Sequence, residues 1–236
     1  MRLPPITPPF FEIGPKNYIY GDEVLRMAKI ADKTAAKYDV RVIFTAPYAN
    51  IEAVAKNTKN LIVFTPHFDL IPVGRGIAKV LPESVHAAGA RGVFLNHCEC
   101  PQPLAEISSS IQKCRELKMY SLVCADSMPE IKAVAQLGPD IIIAEPTDVI
   151  GSGKMADMSY VTESIEAIHA IDSDISILVG GGISSGEDVY RTILAGADAT
   201  GTSSGIFKAA DPEKMTDEML RALREAWNER HKGGAK

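Results

Sequence analysis

The chain is poor in the features that mark several protein classes. Only 6% of its 236 residues are aromatic, tryptophan occurs once, and the formal net charge is -5. No basic stripe runs along it, so the electrostatic footprint of a nucleic-acid binder is missing and no such partner is expected. No apolar run approaches the roughly 18–20 residues of a membrane span, so no membrane partner is expected either. The opening stretch MRLPPITPPFFEIG has no apolar signal core, and its prolines would break one. Four cysteines without framework spacing read as reduced thiols, which points to the cytoplasm. No linker or composition break divides the chain.

What is present is an ordinary globular composition, 46% hydrophobic and 23% charged. The length is enough to bury a sizeable core without staples. Residues 1–236 are therefore expected to form one domain, with 231–236, HKGGAK, as a flexible tail.

Eight short apolar runs stand out: FFEIG, VRVIFTA, LIVFTP, GVFLNH, YSLVCA, DIIIAE, SILVGG and the weak DATGTS. Most are continuously apolar, as in strands buried on both faces of a parallel sheet. Amphipathic segments lie between them. Val24, Ala28, Ala31 and Ala35 recur at helical spacing, as do Leu104, Ile107, Ile111 and Cys114. MPEIKAVAQLG has Pro in its first turn and Gly at its end, and Ser184 with Glu187 offers a capping box. Eight strand–helix units predict a single-domain (β/α)8 TIM barrel, with an open doubly wound sheet as the alternative. The helices after the second and third strands look short.

In such a barrel, chemistry sits at the C-terminal ends of the strands. The first run leads to Lys16, the fourth to His97 and the sixth to Glu145. The seventh leads into GGGISSGED and the eighth into GTSSG. Each alone has a plain structural reading: a solvated lysine, a hydrogen-bonded histidine, a Glu-Pro turn, glycines placed for backbone geometry. A base, an imidazole and an ammonium on one face, beside two Gly/Ser loops, point instead to a site.

LNHCEC resembles a metal or redox cluster. If it continues the strand, alternation sends His97 and Glu99 to one side and Cys98 and Cys100 to the other. No second pair completes a tetrahedron, and the two-residue spacer of a redox pair is missing. No metal is expected. The loops suit an anion better, because Gly-rich turns and helix N-termini expose unpaired N–H groups. Gly182, Ser203 and Ser204 would form two walls. The stretch EPTDVIGSGK, with Ile150 and Gly151, would suit a lid that closes over a phosphate and keeps water out.

AEPTDVIGSGK, the His97–Glu99 pairing, GGGISSGEDV and GTSSGIFKAADPEK together resemble the triosephosphate isomerase family, and most closely its shorter, archaeal-type branch. The likeness runs from Ile13 to the last helix. It implies isomerisation of a small phosphorylated sugar between aldose and ketose through an enediolate, with no cofactor. It implies Glu145 as the base, His97 as a neutral electrophile and Lys16 as the stabiliser of enediolate charge. Ile150, Gly151, Gly182, Ser203 and Ser204 would contact phosphate, and Glu99 would support the site. It also implies a homodimer or homotetramer.

Three positions depart from the family pattern. Gly14 stands where the family has Asn, two residues before the lysine. Cys98-Glu99-Cys100 replaces Ser-Glu-Arg after the histidine, so Glu99 is expected to pair with Lys16 alone. In the third-strand loop Ile77 lies near the place of a threonine that reaches into a partner subunit, and Arg75 is added. Asp126 adds a carboxylate at the fifth strand end. These changes leave a paralogue acting on another phosphosugar, such as a tetrulose (erythrulose) phosphate, or a non-catalytic phosphosugar-binding barrel, as alternatives.

Overall fold

The computed structural model describes residues 2–150 and 156–232. Within them run β1 (Phe10–Ile13), α1 (Asp22–Tyr38), β2 (Arg41–Thr45), α2 (Ile51–Asn57), β3 (Leu61–Thr65), α3 (Pro82–Ala87), β4 (Gly92–Leu95) and α4 (Leu104–Leu117). Then follow β5 (Tyr120–Ala125), α5 (Met128–Leu137), β6 (Ile141–Ala144), α6 (Met158–His169), β7 (Ser176–Val179), α7 (Gly186–Leu194), β8 (Ala199–Thr202), α8 (Ser204–Phe207) and α9 (Pro212–His231).

The strands lie in sequence order and form a closed barrel. The weak eighth run closes it: Phe10 pairs with Ala199 and Ile13 with Thr202, in parallel. That pairing removes both edges and excludes the open sheet. α2 and α3 have seven and six residues, as the sequence predicts.

Strand parity sorts the core into two layers. Phe11, Ile13, Val42, Phe44, Val93 and Leu95 pack outward under the helices. Phe10, Ile43, Phe64, Leu122, Ile141 and Leu178 point inward and fill the barrel. The interior is thus a packed plug and not a pore. Val24, Ala28, Ala31 and Ala35 are buried along α1, as their spacing predicts. In α4, Ile107, Ile111 and Cys114 are buried but Leu104, in the first turn, stays exposed.

α5 carries Pro129 in its first turn and ends on Gly138 in the left-handed conformation. The cap of α7 differs from expectation by one residue. The helix starts at Gly186, so Ser185 and not Ser184 is the N-cap, accepting from the Asp188 N–H at 3.2 Å. The Asp188 carboxylate in turn accepts from the Ser184 N–H and from the Ser184 and Ser185 hydroxyls, at 3.0, 3.0 and 2.9 Å. Asp188 fills the role expected of Glu187.

Candidate active site

Two residues in the left-handed region turn the chain out of the barrel at its rim. Lys16 (φ 46) follows β1, and Asn96 (φ 55) follows β4. Such conformations cost on the order of 1–3 kcal/mol and persist where the surroundings fix them. Asn96 is fixed on every side. Its N–H donates to Gln102 Oε1 and its Oδ1 accepts from the Gln102 N–H, both at 2.9 Å. Its Nδ2 donates to the Cys124 carbonyl at 3.0 Å and to Glu130 Oε1 at 2.9 Å.

β4 has already ended at Leu95, so His97, Cys98, Glu99 and Cys100 do not alternate along a strand. They form a turn, in which the Cys100 N–H donates to the His97 carbonyl at 2.7 Å. The alternation argument therefore fails, because Asn96 has redirected the backbone. The turn gives His97 its chemical form. The Glu99 N–H donates to His97 Nδ1 at 3.0 Å, so Nδ1 is an acceptor and the proton belongs on Nε2. Burial, then the charge of Lys16, holds the imidazole below its ordinary pKa despite Glu99, which keeps it neutral near pH 7.

Lys16 Nζ lies 3.2 Å from His97 Nε2 and donates to Glu99 Oε1 at 2.7 Å. Ammonium and imidazole thus present two donors side by side, converging on one acceptor position. Burial alone would pull Lys16 down. The hydrogen bond and charge of Glu99, with the charge of Glu145, overcome this and leave its pKa raised, so it stays charged. The Cys98 thiol is raised, first by burial and then by Glu145, and remains a thiol. Among the described residues no group of three His, Cys, Asp or Glu side chains is arranged to hold a metal ion.

Glu145 follows β6, and its N–H donates to the Ala125 carbonyl at 3.0 Å. It is half-buried against the loop after β7. Burial raises its pKa, while Lys16 and a hydrogen bond from the Gly181 backbone act against the rise. Gly181 can donate there because its φ of 88 suits glycine, and because a Cβ would stand 2.7 Å from Val149 Cγ2. Next to Glu145 lies a cavity of about 260 Å³, lined by Asn96, Cys98, Cys124, Asp126, Thr147 and Ile150, among others. A second cavity, about 290 Å³, lies outside the barrel between α7 and α9 and holds none of these groups.

The loops after β7 and β8 are tied together. The Thr202 hydroxyl donates to the Ile183 carbonyl at 2.7 Å and accepts from the Gly205 N–H at 3.1 Å. The tie runs through Ile183 and Gly205, the chain neighbours of Gly182 (φ 74) and Ser204. Ile150 borders the cavity by Glu145, and Gly151 lies outside the described residues. Of the residues expected from sequence, Lys16, His97 and Glu99 are in direct contact and Glu145 is coupled to them by charge.

Sequence reasoning missed Glu12. It lies inside the barrel, 6% exposed, and its Oε1 accepts from the Thr45 hydroxyl at 2.6 Å. The signal was its parity with Phe10 in the run FFEIG: a carboxyl group two residues after an inward phenylalanine must also face inward. The Asn96–Gln102–Glu130 brace was missed too, and has no signature short of the fold.

A family model described as triosephosphate isomerase matches residues 16–219. The triosephosphate isomerase of Sulfolobus acidocaldarius is 33% identical over 230 residues, 95% of this chain and 99% of that protein. The triosephosphate isomerase of Methanothermus fervidus is 34% identical over 203 residues, 85% of this chain and 91% of that protein. Among solved structures, the triosephosphate isomerase of Bartonella henselae superposes with a TM-score of 0.75 at 15% identity, covering 90% of this chain and 99% of that one.

Proposed function

The chain belongs to the triosephosphate isomerase family, and from that premise we propose that Glu145, His97 and Lys16 interconvert the aldose and ketose forms of a triose phosphate. The enzyme is an isomerase, and its reaction passes through an enediolate. Glu145 takes a proton from one carbon and returns it to the next. Its raised pKa strengthens it as a base, and a positioned base is worth about 10²–10⁴-fold. Negative charge then develops on oxygen. The two donors 3.2 Å apart, Lys16 Nζ and His97 Nε2, are preorganised for it. A neutral imidazole also exchanges protons between the two oxygens, which an imidazolium with no acceptor site could not do.

The observation that carries this reading is the Glu99 N–H on His97 Nδ1, which turns Nε2–H towards Lys16. Gly182, Ser203, Ser204, Ile150 and Gly151 take the phosphate, for which the tied β7 and β8 loops give support. Glu99 pairs with Lys16 at 2.7 Å, as the loss of the family arginine predicts. The tetrulose-phosphate and non-catalytic alternatives gain nothing from relatives that match 85–95% of the chain and are named for the triose reaction.

The chain works as a homo-oligomer, dimer or tetramer. In support, the loop between β3 and α3 holds up an apolar tip, with Val73 75% and Ile77 99% exposed. Its four cysteines are unpaired, which supports a cytoplasmic setting. No helix among the described residues is long and apolar enough to cross a membrane.

The test is isomerisation of dihydroxyacetone phosphate in deuterated water. Deuterium should enter the carbon next to the carbonyl with the wild-type enzyme and not with Glu145→Gln. Undiminished exchange in that variant would remove Glu145 as the base.

A further inference from the structure

Glu12 is a carboxyl group built into the top of the barrel plug, and its neighbours are small enough to admit it. A Cβ on Gly201 would stand 2.7 Å from Glu12 Cβ and 2.8 Å from its carbonyl oxygen. A Cβ on Gly14 would stand 2.9 Å from Glu12 Oε1 and 3.2 Å from Ser203 Oγ. The carboxyl group therefore occupies the space that a side chain at position 14 would need, and forms the floor of the site beside Ser203.

The groups facing it come from several elements. Thr45 on β2 donates to it, and Glu145 after β6 and Lys16 after β1 act on it through charge. Cys124 on β5 feels Glu12 in return, but burial drives that thiol well up and it stays neutral. Three carboxyl groups, Glu12, Glu99 and Glu145, thus share one ammonium, Lys16. The same site must accept a phosphate and then an enediolate, so a third carboxylate there would oppose both.

We propose that Glu12 is a positioning residue of the isomerase site, and that the site works only while Glu12 carries its proton. Protonated, it is a neutral part of the floor of the site, held by the Thr45 hydroxyl, and leaves the charge of Lys16 to Glu99, Glu145 and the substrate. Ionised, it draws on Lys16 and sets a negative charge beneath the place where the reaction builds one. The proposal rests on Glu145, His97 and Lys16 being the reacting groups. Burial, with the charge of Glu145, lifts Glu12 to about 7 against the Thr45 hydrogen bond and Lys16, which puts the transition within reach of an activity assay.

The test is the pH profile of kcat/KM for triose phosphate. Wild-type activity should fall above about pH 7 by about tenfold per pH unit, the slope of one ionisation. Glu12→Gln, neutral at every pH and nearly isosteric, should lose that limb and stay within about twofold over the same range. A wild-type profile without the limb, or the same limb in Glu12→Gln, overturns the proposal. A second measurement needs no variant at position 12. With glutamate labelled at Cδ, carbon NMR of the wild-type enzyme should show a carboxyl group titrating near 7. In Glu145→Gln that signal should move to lower pH as the repulsion is removed. If every glutamate titrates in the ordinary carboxylate range, the proposal fails. Turnover retained by Glu145→Gln would count against the base assignment and leave this titration standing.

Discussion

Gly180 lies directly against the carboxyl group of Glu145. A Cβ there would stand 3.0 Å from Oε1 and 3.2 Å from Cδ. A third contact, 3.3 Å to Ile143 Cγ2, is looser. Gly180→Ala should therefore displace chiefly the carboxyl group of Glu145, the proposed base, which is the end of one side chain. A displacement near 1 Å costs roughly 10²-fold in rate, so kcat should fall by about that much. The midpoint of thermal unfolding should change little. A kcat within twofold of wild type would mean that the carboxyl group is free to swing away. At this scale Glu145, His97 and Lys16 were legible because each ends an apolar run, and strand ends are where barrels keep their chemistry. Glu12 was not, because it sits inside such a run and the run was read for its apolar residues. The tautomer of His97 was not legible either. It depends on a main-chain N–H two residues on, and so on the turn that Asn96 starts.

The loop from β3 to α3 is an element held at its base and exposed at its tip. Asp69 closes the base, accepting from the Val80 N–H at 2.7 Å and from Lys79 Nζ at 2.9 Å. The charge of Asp69 is secured there: the Val80 N–H and Lys79 outweigh burial and hold its pKa below the ordinary value. A braced loop can carry Val73 and Ile77 into water at modest cost only if something covers them. On the homo-oligomer proposed above, Ile77→Asp should shift the protein towards monomer in sedimentation velocity, without loss of helical content. An unchanged sedimentation coefficient would count against this tip as an interface. Most elements were readable from period alone: continuous apolar runs for the strands, the Val24–Ala35 spacing for α1, Pro129 and Gly138 for the ends of α5. Two of the errors share a cause. The α7 cap moved by one residue, and β4 stopped before His97, because in both places a side-chain carboxylate or amide redirects the backbone locally.

For the whole molecule, Glu12 links folding to pH. Its pKa rises from an ordinary 4.5 to about 7 on folding. The folded state thus holds a proton more tightly than the unfolded chain. This contribution to stability is fully present below 4.5 and is lost as pH rises through 7. The full difference amounts to roughly 3 kcal/mol, at about 1.4 kcal/mol per tenfold. Urea unfolding at pH 5 and pH 8, at fixed protein concentration, should show the wild type losing more stability between the two than Glu12→Gln. Equal losses would mean that the carboxyl group is not desolvated as described. The closed barrel was legible as eight strand–helix units, although closure through DATGTS could not be told from an open edge until Ala199 was seen beside Phe10.

The plug of Phe10, Ile43, Phe64 and Leu178 beneath Glu12 has a further consequence, for traffic. It stops the far end of the barrel, so a molecule that enters over His97 and Glu145 reverses to leave. Entry and exit share one doorway. Each product molecule, until it departs, stands in the path of the next substrate, and the loops around that doorway govern both journeys alike.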